Sequence, residues 1–218
     1  MSAAVRIVFL DRATLPDFIE LKAFDFAHEV ITYEQTKLEE VAGRIAQAQI
    51  VITNKVPVSA ADLARADGLK LVAVAATGTN IVDIEACRQK GVVVTNIRNY
   101  AVNTVPEHTL ALIFALRRSL LAYHLSVARG RWAQSGQFCY FDYPVSDLAD
   151  STLGIFGSGA LGSAVASRAQ ALGMKVLFAA RKGETAVKEN HTPFEEVIAR
   201  ADILSLHLPL TDGTRHMI

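Results

Sequence analysis

Net charge is the first thing this 218-residue chain lacks, since 22 Lys and Arg offset 22 Asp and Glu. A balanced chain offers no basic field for nucleic acid or an anionic membrane, so the expected partner is a small molecule, with no nucleic acid and no membrane. Cysteine is also scarce. Cys87 and Cys139 are the only two and form no CxxC pair, which excludes a disulfide framework and a structural zinc site and implies a reducing, cytoplasmic compartment. Long apolar runs are missing too. The longest uncharged stretch, residues 151–167, holds four Gly and four Ser rather than a continuous lipid-facing surface. The N-terminal MSAAVRIVFLD has no cationic stretch followed by an apolar region and a small-residue cleavage site, so it reads as a first strand and not an export signal. None of the six histidines has metal-ligand spacing, and there is no GxSxG elbow.

What is present is material for a core: 51% of residues are hydrophobic and 20% charged, which excludes global disorder. At about 150 residues per domain the length corresponds to roughly one and a half domains. The first hundred residues alternate short apolar runs with amphipathic stretches, the pattern of β-α repeats around a parallel sheet. Strands are expected at Val5–Leu10, His28–Tyr33, Gln49–Thr53, Leu71–Ala75 and Val92–Asn96. Thr36-Lys37-Leu38-Glu39 has the form of a capping box. From about Val105, helical periodicity runs for more than 20 residues and stops at Gly130, predicting one long helix that joins two domains or covers an interface. An aromatic-rich loop follows over residues 131–150. A second β-α series then places strands at Thr152–Phe156, Lys175–Ala179 and Asp202–Leu208, with Pro193 at the first position of a short helix.

Gly157-Ser158-Gly159-Ala160-Leu161-Gly162 matches GxGxxG. By itself the match is weak, because glycines serve any tight strand-helix turn. Here it follows an apolar strand, opens a helix, and is followed about 20 residues later by a second strand, the context that dinucleotide binding requires. Gly157 suits a tight turn, Gly159 a close approach of backbone to pyrophosphate, and Gly162 close helix–strand packing. An NAD site usually places Asp or Glu at the end of the second strand, to accept the ribose hydroxyls. Counting from Gly157, that position is Ala180, followed by Arg181 and Lys182. Two cations in place of the acid suit a 2′-phosphate, so NADP is the expected cofactor with NAD the alternative. The plain reading of Arg181 and Lys182 is solvated loop charge.

These residues resemble the D-isomer-specific 2-hydroxyacid dehydrogenase family. TLGIFGSGALGSAVASRAQALGMKV is similar to its nucleotide-binding signature, VNTVPEHTLALIFALRR to its linker helix, and ILSLHLPLTDGTRHMI to its HxPLTxxTxxxI strand and loop. Within the family, QFCYFDYPVSDLADSTLGI looks most like the glycerate dehydrogenases, also called hydroxypyruvate reductases. The resemblance implies an oxidoreductase moving a hydride between NAD(P)H and a small 2-keto acid, with hydroxypyruvate and D-glycerate as the substrate pair. It implies a flavodoxin-like substrate domain over 1–97, the first half of a Rossmann dinucleotide-binding domain over 98–218, and a homodimer through the linker-helix region. Ala76-Thr77-Gly78-Thr79-Asn80 matches the loop whose backbone N–H groups hold the substrate carboxylate, which gives Thr77 and Gly78 that role. The family's Val-Gly reads Thr-Gly here and its Asp is Asn80. On composition alone, the same stretch is an ordinary turn. The resemblance also sets Thr104 beside the nicotinamide and His207, Pro209 and Thr214 in the wall of the cofactor cleft.

The family's catalytic Arg, Glu and His follow its HxPLTxxT strand, and no residue here matches them. A complete dinucleotide fold has six strands, and only three are expected after Asp150. The expectation is therefore a chain truncated after Ile218, with no catalytic residue of its own and no activity alone. Alternatives are a glyoxylate or other 2-keto acid reductase, or a non-enzymatic dinucleotide-sensing module like the corepressors that resemble this family.

Overall fold

A computed structural model describes residues 4–184 and 188–218. The chain divides into two compact units, Met1–Asn99 and Tyr100–Ile218.

In the first unit, β1 (Val5–Phe9), β2 (His28–Thr32), β3 (Ile50–Thr53), β4 (Leu71–Val74) and β5 (Val93–Asn96) form one parallel sheet in the order β2-β1-β3-β4-β5. This is the flavodoxin-like order, which arises when crossover helices first run one way from a central strand and then the other. Those crossovers include α1 (Leu38–Ile45), α2 (Ala60–Leu63) and α3 (Ile84–Gln89). Their apolar faces bury Val41, Ile45, Leu63 and Cys87 against Val8, Leu10, Val51 and Val72 of the sheet. The α1 cap differs from the expected box by one residue. Thr36 is not the cap, because its hydroxyl donates to the Leu10 carbonyl (2.5 Å) and accepts from Arg44 (2.5 Å). Instead Lys37 is the N-cap, and its N–H donates to Glu40 Oε2 at 2.9 Å.

The loops leaving β1, β3 and β4 share the C-terminal edge of this sheet. Asp11, only 3% exposed, fixes one of them. Its carboxylate accepts the backbone N–H groups of Asn54, Lys55 and Val56 at 2.6–3.1 Å, so the turn after β3 is built on a buried side chain from the end of β1.

The second unit opens with α4 (Thr104–Arg117), α5 (Leu120–Ala128) and the short α6 (Arg131–Ser135). The single long helix expected from periodicity is thus two, bent by 59° at a break. Ser119 sits there at φ +48°, a left-handed conformation that ends an α-helix. The segment 144–147 fills the gap: Ser119 Oγ donates to Pro144 O (2.6 Å), Ser146 N–H to Arg117 O (2.8 Å), and Arg118 pairs with Asp147 (2.6 Å). Tertiary partners replace helical hydrogen bonds at that point. Among the described residues no single helix is long and apolar enough to cross a bilayer.

Next come β6 (Thr152–Phe156), α7 (Ala160–Ala171), β7 (Lys175–Phe178), α8 (Phe194–Arg200) and β8 (Ile203–Leu206), giving a parallel sheet in the order β7-β6-β8. Pro193 is the N-cap of α8, one residue earlier than expected. The central β6 is buried on both faces. Leu153 and Ile155 pack with Ile113 of α4 and Val165, Ala166 and Ala169 of α7, while Phe156 meets Phe194 of α8 edge-on at 5.1 Å.

Candidate functional site

The centre of the second unit is the turn between β6 and α7, where three glycines have three different surroundings. Gly157 has φ +102°, and a Cβ there would lie 2.4 Å from the His207 carbonyl oxygen. A Cβ at Gly162 would lie 1.9 Å from the Gly157 oxygen, because the first turn of α7 is seated directly on the glycine turn. Both positions are closed to side chains by the protein itself. Gly159 is different: it has ordinary extended dihedrals (φ −72°, ψ −172°), and a Cβ there meets nothing within 4 Å. Its missing side chain leaves space for something outside the chain. Gly159 is also the N-cap of α7 with no side-chain cap, so the first-turn N–H groups of Ala160, Leu161 and Gly162 point at that space with the positive end of the helix dipole behind them.

This turn forms one wall of a cleft of about 690 Å³. The opposite wall begins at the end of β7. Ala180 is 6% exposed and its N–H donates to Thr192 O at 2.8 Å, so a small buried residue occupies the position where a ribose-binding acid would stand. Arg181 and Lys182 line the cleft beyond it. Lys182 Nζ donates to Met217 O (2.9 Å) and lies 5.2 Å above the Phe194 ring, whereas the Arg181 guanidinium has no ion pair among the described residues. The carboxylate in this wall, Glu184, accepts the Arg181 N–H at 3.2 Å.

His207, Pro209 and Thr214 close the third side. Burial pushes the His207 imidazole pKa down from its ordinary value of 6.5, and its Nε2 lies 2.9 Å from Ser205 Oγ. Thr214 Oγ1 donates to Pro209 O (2.7 Å) and accepts the Thr211 N–H (2.8 Å), clasping the loop that follows β8. Thr104 lies outside this cleft, exposed at the first position of α4. Two wall residues that motif reading missed are Lys188 and His191. They reach the cleft because Thr192 bridges to Ala179, a pairing with no motif of its own.

In the first unit, Thr77 and Gly78 stand exposed after β4 at the C-terminal edge of the sheet. Thr77 Oγ1 donates to Ile97 O (2.9 Å) and Asn96 Nδ2 to Thr77 O (2.7 Å), fixing the loop through its side chain and carbonyl. Among the described residues neither the Thr77 nor the Gly78 N–H has a protein acceptor. Two adjacent free donors on a fixed loop suit a carboxylate. No cluster of metal-ligating side chains occurs among the described residues.

A parallel sheet whose central strand turns through glycines into an uncapped helix beside a cleft defines a dinucleotide-binding α/β protein. More narrowly, the chain belongs to the D-isomer-specific 2-hydroxyacid dehydrogenases: the model of that family's NAD-binding domain matches residues 110–218. It is 49% identical over 98% of its length to a glycerate dehydrogenase of Methylorubrum extorquens, covering 66% of that protein. It is 45% identical to a putative 2-hydroxyacid dehydrogenase of Haemophilus influenzae, covering 98% of this chain and 68% of the relative. The chain therefore spans about two thirds of the length of these curated relatives. Among solved structures, the TT0316 protein of Thermus thermophilus superposes with a TM-score of 0.77 at 28% identity, over 96% of this chain and 67% of that one. An NAD⁺-bound 3-phosphoglycerate dehydrogenase of Entamoeba histolytica gives 0.70 at 26%, over 97% and 65%. The fold class expected from the sequence and the nicotinamide dinucleotide as cofactor both stand.

Proposed function

We propose that this chain supplies the substrate-carboxylate loop and the adenosine half of the cofactor site of a reductase that passes a hydride between NADPH and hydroxypyruvate, with D-glycerate as the reduced partner. The observation that carries the cofactor side is the open face of Gly159 beneath the free N–H groups of α7, opposite a β7 end where Ala180 replaces the acid and Arg181 follows. When bound, the nicotinamide supplies or accepts the hydride. In this reading the chain's own residues bind and orient. Gly157 to Gly162 cradle the pyrophosphate, Arg181 and Lys182 pair with the 2′-phosphate, and His207, Pro209 and Thr214 shape the wall. Thr77 and Gly78 hold the substrate carboxylate through main-chain donors, and Thr104 keeps the nicotinamide-side role that the family resemblance gives it.

The names of the relatives support the substrate class: besides the 49% identical glycerate dehydrogenase, a hydroxypyruvate reductase of Blautia hydrogenotrophica is 34% identical. A glyoxylate reductase of Aeropyrum pernix at 31% identity makes glyoxylate the competing substrate. The general acid and the cation that polarises the keto group belong, on this proposal, to the third of the relatives' length outside the match, so the 218 residues bind without turnover. A homodimer fits the apolar surface of α4, α5 and the loop after α6, where Leu116, Leu121, Phe138 and Phe141 are 68–93% exposed. A reducing cytoplasm fits two cysteines that are both free.

Titration calorimetry of the 218-residue chain with NADPH and NADH tests the cofactor reading. A charge-assisted pairing with the 2′-phosphate favours NADPH by about tenfold or more. Equal affinities refute it. Hydroxypyruvate added to the NADPH complex is expected to leave the cofactor reduced, and oxidation would overturn the assignment of catalysis elsewhere.

A further inference from the structure

The segment Lys188–Thr192 runs back along the end of β7. Thr192 N–H donates to Phe178 O (2.7 Å) and Ala180 N–H to Thr192 O (2.8 Å), a short parallel bridge that fixes the residue before it. That residue is His191, in the cleft wall with its ring tilted over Phe178 at 6.1 Å. Its Nδ1 lies 3.2 Å from the Glu189 carbonyl oxygen and its Nε2 lies 3.1 Å from Ser158 Oγ. A carbonyl only accepts, so Nδ1 carries the proton of the neutral ring and Nε2 accepts from the Ser158 hydroxyl. Ser158 is the first variable residue of the glycine turn. His191 therefore spans the gap between that turn and the loop after β7, the two elements between which an adenosine ribose is held in this fold.

The charged groups around it are mostly cationic. Arg181 and Lys182 come from the loop after β7 and Lys188 from its own segment. Glu184 is engaged with the Arg181 N–H, Glu189 presents its carbonyl to the ring, and His207 stands at the exit of β8.

We propose that His191 is a further specificity-determining residue of this cleft, donating from a protonated Nε2 to the 2′-phosphate of the cofactor alongside Arg181 and Lys188. The inference rests on the NADP reading above. In the neutral ring Nε2 presents a lone pair that repels a phosphate oxygen. In the protonated ring the same atom is a charge-assisted donor, and the Ser158 hydroxyl is released to donate as well. Binding of the dianion and protonation of the ring thus reinforce one another, so discrimination for the phosphorylated ribose weakens as the pH rises.

The test uses the 218-residue chain and two probes of the adenosine half, 2′,5′-ADP and 5′-AMP, titrated by calorimetry at about pH 6.5 and about pH 8.5. His191→Gln is expected to lose about fivefold in affinity for 2′,5′-ADP at the lower pH and less than about twofold at the higher, with 5′-AMP unchanged at both. His191→Lys, a permanent cation, is expected to match wild type for 2′,5′-ADP at the lower pH and to bind it more tightly than wild type at the higher, where the wild-type ring is neutral. Comparing variant with wild type for the same ligand cancels the titration of the phosphate itself. Equal losses for the two nucleotides mean that His191 only packs the wall, and a loss independent of pH, or none, likewise overturns the inference. If the wild-type chain binds 2′,5′-ADP no better than 5′-AMP, the NADP reading itself fails, and His191 with it. Discrimination that His191→Gln leaves intact refutes His191 alone.

Discussion

Alanine at Gly157 and alanine at Gly159 are the same chemical change two residues apart, yet the structure gives them opposite consequences. At Gly157, φ is +102° and the new Cβ meets the His207 carbonyl oxygen at 2.4 Å and Leu208 Cδ2 at 2.9 Å. The dihedral costs an L-residue about 1–3 kcal/mol. Moving the backbone that leaves β8 adds a similar overpacking penalty of about 1–3 kcal/mol. A total near 4 kcal/mol is a large share of the roughly 5–15 kcal/mol that holds a domain together. With a urea slope of about 2 kcal/mol per molar, the midpoint falls by about 2 M. Trp132, the only tryptophan, lies in the second unit and reports that transition by fluorescence. Gly159→Ala keeps ordinary dihedrals and open space, and loses less than about 1 kcal/mol because alanine is a poorer N-cap than glycine. Its Cβ instead projects into the open space proposed above for the pyrophosphate, so NADPH affinity is expected to fall at least about tenfold in a chain that is still folded. The reasoning is refuted if Gly159→Ala binds NADPH like wild type, or if it proves as unstable as Gly157→Ala.

Three further outcomes follow from other parts of the molecule. Asp11→Ala removes the acceptor for three backbone donors after β3 and is expected to cost about 3 kcal/mol, read as lost hydrogen-exchange protection at Asn54, Lys55 and Val56; unchanged protection there would show that water satisfies them. Because burial lowers the His207 pKa, the unfolded chain takes up this proton first as pH falls, so the stability of the second unit is full above the ordinary 6.5 and declines as the pH drops through it toward the lower folded value. Urea midpoints at successive pH values should show that slope, and His207→Gln should flatten it. Leu116→Asp with Leu121→Asp, both on exposed surface, is expected to convert a dimer to monomers in sedimentation velocity without loss of helix content by circular dichroism; a wild-type chain that sediments as a monomer would refute the dimer.

Features set by neighbours in the chain are legible in the amino-acid sequence itself. The β-α alternation specifies both sheets because each strand is a short apolar run, and GxGxxG with its flanking strand and helix announces the glycine turn between β6 and α7 because its geometry depends on residues within a few positions. The absence of an acid at Ala180 is equally local. Features set by distant partners are not legible in this way. Apolar periodicity runs unbroken through residues 117–120, so nothing there signals that Pro144 to Asp147 take the hydrogen bonds of a continuous helix. Thr36 has the right type and spacing for a cap but is drawn away by Leu10 and Arg44.

The sequence alone therefore determined which fold was built, where a glycine turn joins β6 to α7, and which residues follow β7, since each is written in contiguous residues. Only the tertiary structure separated the three glycines by what surrounds them, two closed by protein backbone and one open, and brought Lys188 into the cleft wall and His191 to face Ser158. Those distinctions depend on non-bonded distances between segments that lie tens of residues apart in the chain, and no local pattern encodes such distances.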